Sequence, residues 1–167
     1  MFFLDSLGFF SLICLLIQCG LAWTLLAFFA VLSPRHSLWL RRWRVAFCGL
    51  GIALLAVSVR FALAHQHIAG PDTIREGDLD ARLFYGAYFA GKVAFVWFLV
   101  GGVAALRQKA WPVNRWLPAA AIATGFLLGA TLPTIESILL VQSPGVVFAF
   151  WYAWRCLRRE VGEVPEV

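Results

Sequence analysis

Charged side chains are scarce in this sequence. Asp, Glu, Lys and Arg make up 14% of its 167 residues, whereas 62% of the residues are hydrophobic. Soluble domains contain about 25% charged and about 45 to 50% apolar residues, so this composition excludes a water-soluble fold. The net charge of +5 comes from basic residues that flank apolar runs and form no separate basic domain, so we expect no binding to nucleic acid.

Sequence motifs that carry catalytic or metal chemistry are also missing. The chain has no nucleophile elbow, no glycine-rich phosphate loop after a strand, no HExxH, and no serine beside a histidine within its apolar runs. Its three histidines fall at opposite ends of the predicted helices, and its four cysteines lack paired ligand spacing. We therefore predict no catalytic residue, no metal site and no cofactor, and we interpret the cysteines as small packing residues.

Long apolar runs dominate the chain instead. A run of about 18 or more apolar residues marks a membrane-spanning helix, because lipid offers the backbone no hydrogen-bond partner. The sequence predicts one all-α membrane helix bundle with five transmembrane helices, at about 9–32, 45–64, 83–106, 117–132 and 138–157. The fourth run is short, so four spans plus a re-entrant segment is the alternative. The first run lacks a basic segment before it, so we interpret it as a retained helix and not as a signal peptide.

Basic residues are concentrated in three segments, SPRHSLWLRRWR, RQKAWPVNRW and the tail WRCLRRE. Because lysine and arginine accumulate on the cytoplasmic side of a membrane, these three segments should lie inside. The acidic outer loop at 65–82 and the turn LPTIES should lie outside. The pattern predicts an N-terminus outside, a C-terminus inside with a short cytoplasmic tail at 158–167, and an integral protein of a bacterial cytoplasmic membrane.

Small residues recur at helical spacing in two of the runs. The two sets are Gly49, Ala53 and Ala56 in the second run, and Ala121, Gly125 and Gly129 in the fourth. Small side chains let neighbouring helices approach closely in lipid, so we predict that both sets are helix-packing faces. Arg60 continues the first set at helical spacing, and it should therefore point into the bundle.

Two cations, Arg60 and Lys92, interrupt the apolar runs. Charges inside a membrane are costly and often mark a functional site. We predict that they belong to a polar layer in the outer half of the bundle, which binds an anionic or lipid-like ligand. The predicted ligand-binding residues are Arg60, Lys92, Glu136, Gln142, Gln18 and Tyr88. In the structural alternative, Glu136 lies in the outer interface, Lys92 extends toward the surface, and Arg60 binds backbone carbonyls.

Most of the chain resembles a known class of membrane region, by pattern and without a diagnostic motif. Short-looped helices, arginine-rich inner loops and a last helix that ends as FWYAWRCLRRE are similar to the multi-span input regions of bacterial membrane-bound sensor kinases and diguanylate cyclases. The resemblance implies a signal-transducing sensor module that works with a partner protein. This sequence departs from those proteins because it ends at Val167 without a catalytic output domain.

Three function classes remain. The expected one is a non-catalytic membrane module or complex subunit, which packs with partner membrane proteins or as a homo-oligomer and binds a lipid-like or anionic ligand. The second is a small oligomeric transporter or channel for anions, protons or small acids, which Arg60 and Lys92 would serve. The third is a membrane enzyme acting on lipids or quinones. Short loops, packing faces and the lack of catalytic motifs favour the first.

Overall fold

The computed structural model describes residues 2–32, 37–66, 79–108, 116–132 and 135–158, with side chains placed in 13–31, 37–63, 79–108, 116–132 and 137–158. Every regular element in that part of the chain is an α-helix, which confirms the predicted all-α class. The helices are α1 Phe2–Leu32, α2 Leu38–Gln66, α3 Leu79–Leu106, α4 Trp116–Thr131 and α5 Ile135–Arg158.

Four of the helices are long and apolar enough to cross a membrane. The candidate spans are Ile13–Val31, Leu38–Leu63, Leu79–Leu106 and Ser137–Arg158. The helices are thus compatible with an integral membrane protein. Helix α4 is shorter, with 16 residues; it extends for about 24 Å, against a hydrocarbon core of about 30 Å.

Several helices begin before the apolar run that predicted them. Helix α2 starts at Leu38 and includes the segment LWLRRWR, α3 starts at Leu79, and α5 starts at Ile135. Hydropathy falls where charged and indole side chains begin, but the backbone continues its helical hydrogen bonding there. Tryptophan and arginine are favourable at a membrane interface, so a helix that continues through them is compatible with a membrane span.

Helix α3 is the centre of the bundle, because it contacts α2, α4 and α5, while α1 packs on α2. Helices α2 and α3 are antiparallel: Gly49 lies against Ala94, and Arg60, further along α2, lies against Tyr85. Helices α3 and α5 are parallel at their C-terminal ends, where Arg107 Nη2 donates a hydrogen bond to Leu157 O at 3.1 Å. Because α4 connects α3 to α5 in the chain, it runs antiparallel to both helices.

The tightest packing lies between α2 and α3. A methyl group added at Gly91 would stand 2.5 Å from Gly49 O and 2.8 Å from Ala53 Cβ. Helix association in lipid depends on such close van der Waals contact, because lipid tails remove the hydrophobic driving force between helices. Of the predicted packing residues, Ala53 is fully buried, and the three glycines at 49, 125 and 129 are buried too. The alanines at 56 and 121 are half-buried.

Aromatic rings connect α1, α2 and α3 in the half of the bundle that contains the N-terminal end of α2. Phe29 of α1 stacks on Phe47 of α2 with ring centroids 5.4 Å apart. Phe47 in turn meets Phe95 of α3 edge to face at 5.7 Å, and Phe29 meets Trp43 at 5.6 Å. Aromatic pairs of this kind add about 0.5 to 1.5 kcal/mol each beyond the area that they bury, so they stabilise the three-helix unit.

The close contact at Gly91 generates a stability prediction. We expect Gly91→Ala to lower the free energy of unfolding by about 1 to 3 kcal/mol, because the new methyl group forces α2 and α3 apart. Gly20→Ala is the matched control, since an added methyl group there meets nothing within 4 Å. Thermal unfolding of both variants in one detergent measures the difference. Equal stability of the two variants would contradict the α2–α3 contact.

Candidate functional site

A cavity of about 570 Å³ lies between α3 and α5. Its α3 wall comes from residues within 89–100 and its α5 wall from residues within 141–152. We call it the α3–α5 groove. Most of its lining is apolar, but Lys92 and Gln142 both line it. Because α3 and α5 run in the same direction, these two polar side chains come to the same level of the bundle.

The shape of α5 keeps the groove open. Gly145 lines the groove, and a methyl group added there would meet nothing within 4 Å. The contact between α3 and α5 is also the least extensive of the three that α3 makes with its neighbours. The missing side chain at Gly145 therefore leaves space in the groove that the described residues do not fill.

Pro144 precedes that glycine inside α5. Proline has no N–H, so the carbonyl four residues earlier, Leu140 O, loses its helical donor. Ser143 Oγ donates a hydrogen bond to that carbonyl at 3.0 Å. The hydroxyl thus replaces the missing backbone donor, which is how a proline is tolerated inside a membrane helix.

Lys92 lies near the midpoint of α3, a helix of 28 residues. Either end of the helix is about 20 Å away, which is beyond the reach of a lysine side chain. The Lys92 Nζ atom stands 5.1 Å from the ring centroid of Tyr88, and Tyr88 is itself buried. The ammonium therefore rests on an aromatic face inside the bundle, a favourable cation–π arrangement.

Carboxylates are almost missing around this cation. Among the side chains that the structure places, Asp80 is the sole carboxylate, and it is exposed in the first turn of α3. It precedes Lys92 by twelve residues, which is about 18 Å along the helix. Within those placed side chains, no carboxylate neutralises the charge that lines the groove.

Gln142 provides the second polar group of the groove. Its Oε1 atom is buried and has no hydrogen-bond partner in the described part of the chain. A side-chain amide carries two donor hydrogens and one acceptor oxygen, and a buried polar group without a partner is rare in proteins. The amide and the Lys92 ammonium are therefore two polar groups available to one ligand.

Arg60 lies outside the α3–α5 groove. It is 6% exposed, and its guanidinium carbon stands 4.8 Å from the ring centroid of the fully buried Tyr85 and 5.4 Å from that of Phe61. Tyr85 precedes Lys92 by seven residues, about 10 Å along α3. Arg60 does not line the groove. The two cations therefore lie at different levels of the bundle.

The structure brings together three of the predicted ligand-binding residues, Lys92, Gln142 and Tyr88. Gln18 is exposed on α1 and does not line the groove. The side chain of Glu136 lies outside the described residues. Sequence reasoning missed the apolar wall of α5, although its signal is present: residues 142, 145, 149 and 152 recur at helical spacing and all line the groove.

Comparison with known proteins finds no matching family model, no matching curated protein and no matching solved structure. The functional argument therefore rests on the geometry and chemistry of the α3–α5 groove, following the principle that function resides in sites more than in folds.

The Ser143 hydrogen bond generates a second prediction. Ser143→Ala should lower the free energy of unfolding by about 1 to 3 kcal/mol, because it leaves the Leu140 carbonyl without a donor in an apolar environment. Thr24→Ala is the control: Thr24 Oγ1 donates to Gly20 O at 2.8 Å, a carbonyl that the helical backbone already satisfies. Thermal unfolding, together with amide exchange at Gly145 and at other residues next to Pro144 in α5, tests the difference. A loss as large for Thr24→Ala would refute the explanation.

Proposed function

We propose that this protein is a non-catalytic integral membrane module that binds a lipid-like ligand in the α3–α5 groove, with the Lys92 ammonium holding the polar head of the ligand. One observation carries the proposal: an intramembrane cation without a described carboxylate partner lines a mostly apolar cavity. Ligand sites are typically apolar cavities of about 300 to 1,000 Å³ with a few placed polar groups. The groove has this composition and size.

The polar pair determines which ligands bind. A lipid-like molecule already lies in an apolar environment, so moving its chain from the bilayer into the groove yields little hydrophobic free energy. Its head gains much more, because an ammonium and an oxygen acceptor attract each other strongly at low dielectric. Selectivity therefore depends on Lys92 and Gln142, while the apolar wall sets the shape of the chain that fits.

Five membrane crossings, with the N-terminus outside and the C-terminus inside, form part of the proposal. The parallel direction of α3 and α5 supports it, because both helices then start on one side of the membrane. Exposed arginines support it too: Arg41 and Arg44 lie near the start of α2, and Arg155 and Arg158 near the end of α5. Basic residues at these ends favour a cytoplasmic location.

A sensor role follows from the resemblance to the input regions of bacterial sensor kinases and diguanylate cyclases. Helix α5 forms one wall of the groove and ends in the basic segment that would lie in the cytoplasm under the proposed topology. Ligand occupancy between α3 and α5 would therefore alter the position of the helix that reaches the cytoplasmic side. A partner membrane protein, or a second copy of this chain, would receive that change.

An epitope-insertion experiment tests the crossings. An epitope inserted after Leu132 should react with antibody in intact spheroplasts, because five crossings put the α4–α5 connection outside. An epitope at Val167 should react only after the membrane is permeabilised. Reaction of the Leu132 insertion only after permeabilisation would show that α4 re-enters without crossing.

Groove-filling and charge-removal variants test the ligand site. We expect Gly145→Leu and Lys92→Met to reduce co-purifying lipid-like ligand by about tenfold or more, because one occupies the space and the other removes a charged hydrogen-bond donor. Gly20→Leu and Arg155→Met are matched controls, since both residues are exposed and neither lines the groove. Native mass spectrometry of protein extracted in mild detergent measures occupancy. Unchanged ligand occupancy in both groove variants would contradict the proposal.

A further inference from the structure

The depth of Lys92 restricts the head group that reaches it. Lys92 lies nine residues into the apolar run that starts at 83, and its ammonium rests over Tyr88, one turn nearer the start of that run. An interfacial phosphate would have to descend about 8 to 10 Å into the hydrocarbon core to reach it. A phosphodiester stays ionised in water, and moving a permanent charge to that depth is costly. A phospholipid head group therefore matches the charge of the site but not its depth. The head that fits has to enter without a charge.

The shape of the groove restricts the rest of the ligand. The polar pair lies near one end: Lys92 is close to the first lining residue of α3, Phe89, and Gln142 directly follows the first lining residue of α5, Val141. From Lys92 the α3 wall continues to Val100, about 12 Å along the helix. One apolar path leads away from one polar pair, which suits a molecule with a head at one end and a single chain.

The charge of the groove further restricts the head group of the ligand. Lys92 provides one positive charge, and the Gln142 amide provides hydrogen-bond donors at the same level. A carboxylate has one negative charge and two oxygens, so it accepts one hydrogen bond from the Lys92 ammonium and one from Nε2 of Gln142. The buried Oε1 of Gln142 needs a donor, which the ammonium supplies with one of its three hydrogens. A carboxylic acid also enters a bilayer in its neutral form. It loses its proton to water as the carboxylate pairs with the ammonium.

We infer that the ligand of the α3–α5 groove is a single-chain carboxylic acid of the fatty-acid class, with its carboxylate between Lys92 and Gln142 and its chain directed toward the C-terminal ends of α3 and α5. The inference rests on the proposed function and names the ligand class for it. Neutralising an intramembrane cation is what gives a carboxylate its advantage over an alcohol of the same chain length.

Head-group competition tests the inference. Purified protein in nanodiscs is titrated with lauric acid, dodecanol and dodecyltrimethylammonium, which share one chain and differ in the head. Binding is followed by native mass spectrometry, and its location by quenching of the groove residue Trp97 with a brominated fatty acid, using Trp97→Phe as the reference. We expect lauric acid to bind at least about tenfold more tightly than the other two probes.

Matched variants attribute the binding to the polar pair. Lys92→Met should weaken lauric acid binding by about tenfold or more, while Lys92→Arg should retain most of it. Gln142→Leu should weaken it by a smaller factor, and Gln18→Leu should not change it, because Gln18 is exposed on α1 outside the groove. Thermal unfolding of each variant establishes that it is folded.

The outcomes separate the two proposals. Binding of decylubiquinone or phosphatidylglycerol in the groove, with none of lauric acid, would overturn the ligand class and leave the lipid-binding function in place. Equal lauric acid binding by wild type, Lys92→Met and Gly145→Leu would place the acid in the surrounding lipid and overturn the inference. No groove binding by any probe would overturn both proposals.

Discussion

The approach of α2 and α3 at Gly91 is the contact on which the rest of the structure depends. In lipid these helices gain nothing from excluding water, so they are held together by backbone approaching backbone at Gly49 and Gly91. That contact also fixes the rotation of α3 about its own axis. Lys92 follows directly, about 100° further round the helix, so a face turned to α2 at Gly91 presents Lys92 to the side where α5 packs.

Several polar side chains of the bundle bond to backbone carbonyls, which lipid would leave without a donor. Ser143 replaces the donor that Pro144 lacks, and Arg107 donates to a carbonyl in the last turn of α5. Arg42 Nη1 likewise donates to Gly101 O at 2.6 Å. The Gln142 oxygen differs from these groups, because no described residue bonds to it. Among the residues that line the groove, this oxygen is therefore a polar atom that a ligand could satisfy.

The sequence was sufficient to predict the helices and part of the candidate site. Long apolar runs predicted all five helices, and counting residues from the run ends put Lys92 and Gln142 at related depths, where the structure has them. The same counting put Arg60 and Gln18 in the same group. In the structure, neither residue lines the groove. Depth along a helix can be read from sequence, but the face that meets a given neighbour depends on helix rotation and order around the bundle. Neither follows from periodicity when apolar residues surround most of each helix.

The bond from Arg107 to Leu157 has a mechanical consequence. It ties the C-terminal end of α3 to that of α5, and near the other end of α5 the fully buried Ile138 packs in one cluster with Ala81 and Tyr85 of α3. The groove lies between these two contacts. Helix α5 is therefore held at both ends, and a molecule beside Gln142 presses on the stretch between them. Pro144 lies in that stretch and lacks a backbone N–H, so widening the groove there bends α5 and does not tilt it as a rigid rod.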